Sequence, residues 1–184
     1  VFDANRAHVE QISFEVTGLI QRIRDKMEVL AQLSLNQSFL PRRSQALITS
    51  LFENDPELLV FDVQFPTLLR KQGPRMLSKT KLRALDLSIK PNFVMEMLVS
   101  LPTQTSELSI QNVSREERIL YLIAFPLNVQ TDQGTVPSLF RAIIDGHNWL
   151  VNLQKSKTFS EVFTVTSDGI VFSHSDTQAV LNRR

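Results

Sequence analysis

The chain has 184 residues, enough for one domain of ordinary size, and its 42% of hydrophobic residues supports a buried core rather than disorder. Its formal net charge is +1, and no lysine- or arginine-rich block is interleaved with aromatic residues, which argues against nucleic-acid binding. It contains no cysteine, which excludes disulfides, cysteine zinc sites and cysteine nucleophiles. No apolar run approaches the roughly 18 residues of a membrane span.

The first segment, residues 3–35, has the pattern of one long amphipathic helix, because apolar residues recur at steps of three and four. Such a helix would be roughly 45–50 Å long, more than a small domain needs for its own core. It either packs only on its own domain or also packs with a second face on a partner subunit. The apolar stripe consists of Val9, Ile12, Val16, Leu19, Ile23, Met27, Leu30 and Leu33.

Shorter elements are predicted after this helix. Pro41 suits the first position of a second helix that ends near Phe52, with Ala46, Leu47 and Leu51 also on its apolar side. The elements that follow are a strand at 58–65, a short strand at 68–71, an irregular basic crossing at 75–90, a helix at 91–101 and a strand at 106–113.

A long hairpin is predicted at the centre of the sheet. Ile119–Val129 and Val136–Ile144 are apolar runs rich in branched and aromatic residues, which favours strands. Thr131–Gly134 between them has turn chemistry, since glycine readily takes a positive φ. A helix at 147–154 and a second hairpin over 161–173, with its turn at 167–169, complete the chain.

The predicted fold class is therefore α+β, with a long N-terminal helix packed on an antiparallel sheet of about five strands, plus a C-terminal hairpin. Three parts are predicted: a helix for signalling or dimerisation, the sheet module, and a hairpin that could open a truncated second module. Their bounds are 1–40, 41–158 and 159–184.

A series of short motifs carries a family resemblance. Phe52–Pro56 precedes an aliphatic strand, Ala124–Pro126 precedes a polar turn and the strand Phe140–Asp145, and Val162–Asp176 has the form strand, Asp-Gly, strand, His-Ser-Asp. In this order the motifs resemble those of Cache domains, the extracytoplasmic PAS-like sensor domains of bacterial transmembrane receptors, in particular the double Cache type. Ser175 stands where a proline is usual. Residues 75–95 contain no Tyr or Trp, which departs from the amino-acid-binding subclass.

The resemblance implies a PAS-like sheet and a sensor domain without catalysis, on the outer side of the cell membrane. Both ends of the chain have the look of cut points, so transmembrane helices are expected to flank it. The implied output module is a nucleotide cyclase, a histidine kinase, a chemotaxis signalling region or a diguanylate cyclase. A parallel homodimer through the first helix is expected. Two alternatives stay open: an intracellular PAS- or GAF-like regulatory module, and a ligand-free interaction or dimerisation domain.

The polar residues of the central hairpin are the candidate ligand site. Arg141 and Asp145 share a strand face, because side chains alternate with period two, and Tyr121 on the preceding strand is expected to reach it. An arginine, a carboxylate and a phenol around an apolar pocket suit a small polar ligand. The alternative is that Arg141 and Asp145 have only structural partners. Arg141→Ala or Asp145→Ala is expected to abolish a ligand-induced thermal shift while the domain stays folded.

No cofactor, metal site or catalytic residue is predicted. The pairs Asp145 with His147 and His174 with Asp176 contain metal-ligand types, but no spacing logic links the two pairs. The chain has no Gly-x-Ser-x-Gly, no phosphate-binding loop and no His-Glu-x-x-His, so neither a hydrolase nor a nucleotide-binding enzyme is indicated.

Overall fold

The secondary structure follows the predicted order of a long helix, a short helix and a sheet. The structure is a computed structural model that describes residues 2–35, 41–65, 75–84, 97–98, 107–114, 118–131, 134–146, 163–165 and 171–174. The helices are α1 (Phe2–Leu35), α2 (Pro41–Asn54) and α3 (Lys79–Ala84). The strands are β1 (Leu58–Gln64), β2 (Arg75–Leu77), β3 (Ser109–Asn112), β4 (Leu120–Thr131), β5 (Gly134–Asp145), β6 (Phe163–Val165) and β7 (Val171–His174).

The main sheet is antiparallel, with the strand order β2-β1-β5-β4-β3. The predicted hairpin forms its centre, and β4 and β5 stay paired from Thr131 and Gly134 at the turn to Leu120 and Asp145 at the far end. Gly134 has a φ of 109°, a conformation that favours glycine. The predicted α+β class, with a long helix and five strands, is confirmed.

The first part of the crossing predicted at 75–90 forms two short elements, β2 and α3, and residues 85–90 lie outside the described residues. Ser78 lies between the two elements and is the N-cap of α3, because its Oγ accepts a hydrogen bond from Lys81 N at 3.3 Å. Its own N–H donates to the carbonyl of Leu59 at 3.0 Å, which fastens the junction to β1. Elements of three and six residues are too short to show a hydrophobic period, which is why the pattern gave no sign of them.

One face of the sheet, called here the helix face, packs against α1 and α2. Ile23, Met27 and Leu30 of α1 are buried against it, together with Ile48 and Phe52 of α2. The apolar side predicted for α2 was therefore only partly right. Phe52 is buried, whereas Leu47 and Leu51 are 47% and 43% exposed. The residues that follow them, Ile48 and Phe52, face the sheet instead.

The two halves of α1 differ in what surrounds them. The 34 residues make a helix of about 51 Å. Its buried side chains among those described lie between Ile23 and Ala31, whereas Arg6, Glu10 and Phe14 in the first half are exposed, Phe14 by 80%. No helix in the described part of the chain is both long and apolar enough to cross a membrane.

The C-terminal hairpin is confirmed as an antiparallel pair of β6 and β7, and β7 lies beside the edge strand β3. Its turn at 167–169, the strand predicted at 68–71 and the helix predicted at 147–154 lie outside the described residues. Of the helix predicted at 91–101, only Met97 and Leu98 are described, and both are helical and buried.

Candidate functional site

The sheet face opposite α1 and α2, called here the crossing face, is also buried. Leu82 of α3 packs on it together with Met97 and Leu98. The extra residue Leu59 makes a β-bulge between β1 and β5, so Leu59 and Val60 both belong to this face. The other apolar residues of this face are Leu120, Leu122, Ala124, Leu139 and Ile143.

Three charged residues lie in one row across the apolar crossing face. Asp62 of β1 pairs with Arg75 of β2 on one side and with Arg141 of β5 on the other. Directly opposite residues of an antiparallel pair share a face and approach to about 5 Å. We call Arg75, Asp62 and Arg141 the charged row. Its next neighbour on β4 is the small residue Ala124.

The charged row is held by hydrogen bonds. Arg141 Nε donates to Asp62 Oδ2 at 3.1 Å, Nη2 donates to the same oxygen, and Nη1 donates to the carbonyl of Leu98 at 2.8 Å. Arg75 Nε donates to Asp62 Oδ1 at 3.2 Å. Both carboxylate oxygens are therefore engaged by arginine, and the row carries one net positive charge.

The two arginines of the row differ in exposure. Arg141 is 2% exposed and Asp62 3%, whereas the Arg75 side chain is 47% exposed. Removing one member of a buried ion pair costs about 3–5 kcal/mol, because the remaining charge is left without compensation. Arg141→Ala would leave Asp62 buried with Arg75 as its remaining cation. The expectation that this variant keeps a stable fold therefore does not suit the geometry.

Tyr121 is not part of this arrangement, and the prediction that it reaches the face of Arg141 was wrong. Because Thr131 pairs with Gly134, Tyr121 lies opposite Ile144 and points to the helix face. There it is fully buried, which raises the pKa of its phenol. The backbone of Gly146 packs so closely on the ring that a Cβ at residue 146 would lie 2.2 Å from Tyr121 Cε2.

Asp145 shares the crossing face with Arg141 as predicted, but the two residues are separated. Ile143 lies between them along β5, and four residues of strand span about 13 Å. Asp145 is half-buried, and its backbone N–H donates to the carbonyl of Glu57 at 2.8 Å. The structure thus brings Arg141 together with Asp62 and Arg75, and leaves Asp145 at the end of the strand.

A second polar cluster, which the sequence analysis missed, lies where α2 meets β1. Lys81 Nζ donates to the carbonyls of Phe52, Asp55 and Leu58 at 2.5, 2.7 and 3.0 Å, and lies 4.7 Å from the centre of the Phe52 ring. Burial lowers the pKa of Lys81, and the charges of Glu53 and Asp55 oppose that shift. The lysine fastens α3 to the end of α2. Its partners are backbone carbonyls 23–29 residues away, for which no sequence pattern exists.

The described residues contain no group of three or more His, Asp or Glu side chains that could hold a metal ion. Arginine and aspartate in the charged row suit hydrogen bonding to a polar ligand and offer no nucleophile. The chain was also compared with protein-family models, curated proteins and solved structures, and none of them matches it. The resemblance to Cache domains therefore rests on the motif series alone.

Proposed function

We propose that the chain is the extracytoplasmic ligand-sensing domain of a transmembrane signalling receptor, with no catalytic activity of its own. In this proposal a small polar molecule binds at the half-exposed Arg75 end of the charged row, and α1 passes the occupancy on to an output module across the membrane. The observation that carries the proposal is the row itself. A buried arginine and aspartate lie on a largely apolar sheet face, on the side away from the long helix.

The fold supports this proposal by analogy. The strand order β2-β1-β5-β4-β3, with the long hairpin at its centre and a long helix on one face, agrees with the PAS-like sheet that the resemblance to Cache domains implies. A fold hosts many functions, so the site has to carry the rest of the argument.

The charge of the row favours a ligand with a carboxylate. Two guanidinium groups share one aspartate, which leaves one net positive charge on an apolar floor. The half-exposed Arg75 can turn its remaining N–H groups toward a ligand. Arginine recognises carboxylates through paired N–H donors in a planar fork.

The strand β5 connects the ligand site to the helix face. Arg141 points to the crossing face, whereas its neighbours Phe140 and Ala142 pack on the helix face. A ligand that binds two arrangements of β5 with unequal affinity would shift their populations and the packing under α1. Among the described side chains of the first half of α1, the exposed Phe14 supports the parallel homodimer through which this shift would be transmitted.

One observation favours the ligand-free interaction domain instead. Arg141 and Asp62 bond to each other and to the protein, so the pair is also explained as a purely structural one. The two functions differ in whether removing the half-exposed cation Arg75 removes a response to small molecules.

The test is a thermal-shift panel on the purified chain, with small carboxylates, amino acids and amines as probes. A bound probe at about a hundred times its Kd adds about 2.7 kcal/mol of stability, which raises the Tm of a chain of this size by roughly 5–10 °C. We expect a carboxylate probe to give this shift. Arg75→Gln, which removes the half-exposed cation of the row, should abolish it, while Arg6→Ala on the exposed side of α1 keeps it.

Arg75→Gln is preferred to Arg141→Ala because it leaves the buried pair of Asp62 and Arg141 intact. A cooperative unfolding transition in the variant establishes that it is folded. If no probe on the panel stabilises the wild-type chain, or if Arg75→Gln responds as the wild type does, the ligand proposal is contradicted and the interaction domain is favoured.

A further inference from the structure

A cleft lies on the helix side of the sheet, away from the charged row. It has a volume of about 390 Å³ and runs between α1, the end of α2 and the start of β1. Ligand sites in proteins commonly fall between about 300 and 1,000 Å³ and have mostly apolar walls with a few polar groups. The described residues that line it are Lys26, Met27, Val29, Leu30, Leu51, Asn54, Asp55, Pro56 and Leu58.

Most of the cleft wall is apolar, from its floor to its opening. Met27, Leu30 and Leu58 are buried and form part of the helix-face core. Val29 and Leu51 also line the cleft but are 50% and 43% exposed, so they lie at its opening. Covering such side chains removes apolar surface from water, which contributes about 25 cal/mol for each Å².

The polar end of the cleft is held by one ion pair. Lys26 Nζ lies 2.6 Å from Asp55 Oδ2, and Asp55 Oδ1 accepts the backbone N–H groups of Glu57 and Leu58 at 2.9 and 3.0 Å. The carboxylate is thus engaged by three donors. The ammonium has three N–H donors and is half exposed, so it retains donors that can point to a ligand.

Charges of both signs surround this end, which decides what kind of head group fits. Lys26 and Asp55 pair with each other, and the half-buried Glu57 lies near the cations Lys26 and Arg22 as well as the carboxylates of Asp55 and Asp145. Burial raises the pKa of the half-buried Glu57, and the neighbouring charge of Asp55 raises it further. An anionic head group would therefore lie near the carboxylates of Asp55 and Glu57, and a cationic one near Lys26 and Arg22.

We propose that this cleft binds a small uncharged amphiphile, with an aliphatic or aromatic body between Val29 and Leu51 and a carbonyl oxygen that accepts a hydrogen bond from Lys26. At about 30 Å³ per water-sized group, the volume of about 390 Å³ suits a body of roughly 10–13 non-hydrogen atoms. The ligand would bridge the packed half of α1 to α2 and β1. The inference does not depend on the charged row or on the sensor function.

The experiment is a methyl NMR titration of the wild-type chain with octanamide, a probe of suitable size and with an uncharged carbonyl. We expect saturable shifts at the methyl groups of Met27, Val29, Leu30 and Leu51, and a rise in Tm. Octanoate and octylamine, which have similar bodies but charged heads, should bind at least tenfold more weakly. Equal binding of octanoate would overturn the assignment of an uncharged head group.

A matched pair of variants tests the position of the site. Leu51→Trp fills the cleft from an exposed position, and we expect it to weaken octanamide binding at least tenfold. Leu47→Trp lies one turn earlier on α2, is similarly exposed and does not line the cleft, so it should bind as the wild type does. Unchanged binding in a folded Leu51→Trp protein would overturn the proposal.

The wild-type titration needs no variant, so the proposal stays testable even if Leu51→Trp does not fold. A second copy of the chain is the competing occupant of the cleft. Shifts of the same methyl groups that follow protein concentration, and that octanamide does not change, would show that a second copy covers the cleft. That result would overturn the small-molecule assignment.

Discussion

The two faces of the central sheet are equally buried but are built from different chemistry. The helix face is a continuous apolar cluster in which the rings of Phe61 and Phe140 stack with their centres 6.0 Å apart. The centre of the Phe125 ring lies 5.0 Å from that of Phe140. The crossing face contains an ion pair in its interior. Apolar contacts are non-directional, whereas a buried ion pair is stable only with its specific partner. Burial alone therefore does not predict which residues could be replaced without loss of stability.

The largest effects are expected for the neighbours Phe140 and Arg141, which point to opposite faces. Phe140→Ala should lower the free energy of unfolding by about 3–5 kcal/mol through lost burial and a cavity. Arg141→Met should lower it by a similar amount, because Asp62 loses its closest cation. Adding Asp62→Leu to Arg141→Met should restore most of the loss, since no buried charge then lacks a partner. Urea unfolding measures all three differences.

This comparison would fail if Arg141→Met had the stability of the wild type, because the ion pair would then be unimportant to the fold. It would also fail if Asp62→Leu made Arg141→Met less stable. Phe140→Leu is the matched control on the helix face, where a change that conserves most of the volume should cost less than about 1.5 kcal/mol.

Effects of intermediate size are expected for three glycine-to-alanine variants. Together they distinguish the cost of crowding from the cost of backbone strain. A Cβ at Gly146 would lie 2.2 Å from Tyr121 Cε2 and 2.7 Å from Ile119 Cγ2, so Gly146→Ala should cost about 3 kcal/mol by overpacking the helix face. Gly134 has open space around it but a φ of 109°, so Gly134→Ala should cost about 1–2 kcal/mol through strain. Gly18→Ala in α1 meets no atom within 4 Å and should stabilise by about 0.5–1 kcal/mol.

Thermal unfolding of the three alanine variants tests whether their stabilities rise in the order Gly146→Ala, Gly134→Ala, Gly18→Ala. A Gly146→Ala protein as stable as the Gly134→Ala protein would show that Tyr121 can move away from the end of β5. The close packing of Tyr121 on the helix face would then be less rigid than the distances indicate.

The smallest effects are expected from changes of pH at the junction of α2 and β1. There the pKa values of the Asp55 and Glu57 carboxyls are shifted in opposite directions. Burial alone would raise the pKa of Asp55, but hydrogen bonds from Lys26, Glu57 N and Leu58 N hold it below the ordinary value of 3.8. Its stabilising contribution is present above that value and is lost as the pH falls through the pKa in the folded state. Burial raises the pKa of Glu57 above 4.5, so its contribution is present below that value and is lost as the pH rises.

Urea unfolding between about pH 3 and pH 7 measures both contributions. Asp55→Asn should flatten the loss of stability in acid and lower the stability at neutral pH. Glu57→Gln should instead raise the stability at neutral pH by a small amount, because the half-buried carboxylate no longer ionises. If Asp55→Asn showed the same acid dependence as the wild type, the bonds to Asp55 would not be the source of that dependence.

The sequence by itself determined the elements that local pattern controls. The helical period of α1, Pro41 at the start of α2 and Gly134 at the hairpin turn are each short-range signals, and each predicted element is present. The position of Tyr121 was predicted wrongly, although the hairpin register that sets it is local. Since Thr131 pairs with Gly134, an odd-numbered residue of β4 lies opposite an even-numbered residue of β5 and cannot share a face with Arg141.

Only the tertiary structure decided which polar groups meet. Asp62 and Arg141 are 79 residues apart, and Lys81 bonds to carbonyls of a helix end that has no sequence signature. Their contacts depend on the order of strands in the sheet and on the register between β1 and β5, which includes a bulge at Leu59. Order and register are set by the combined burial of both faces, and no stretch of the chain carries that information alone.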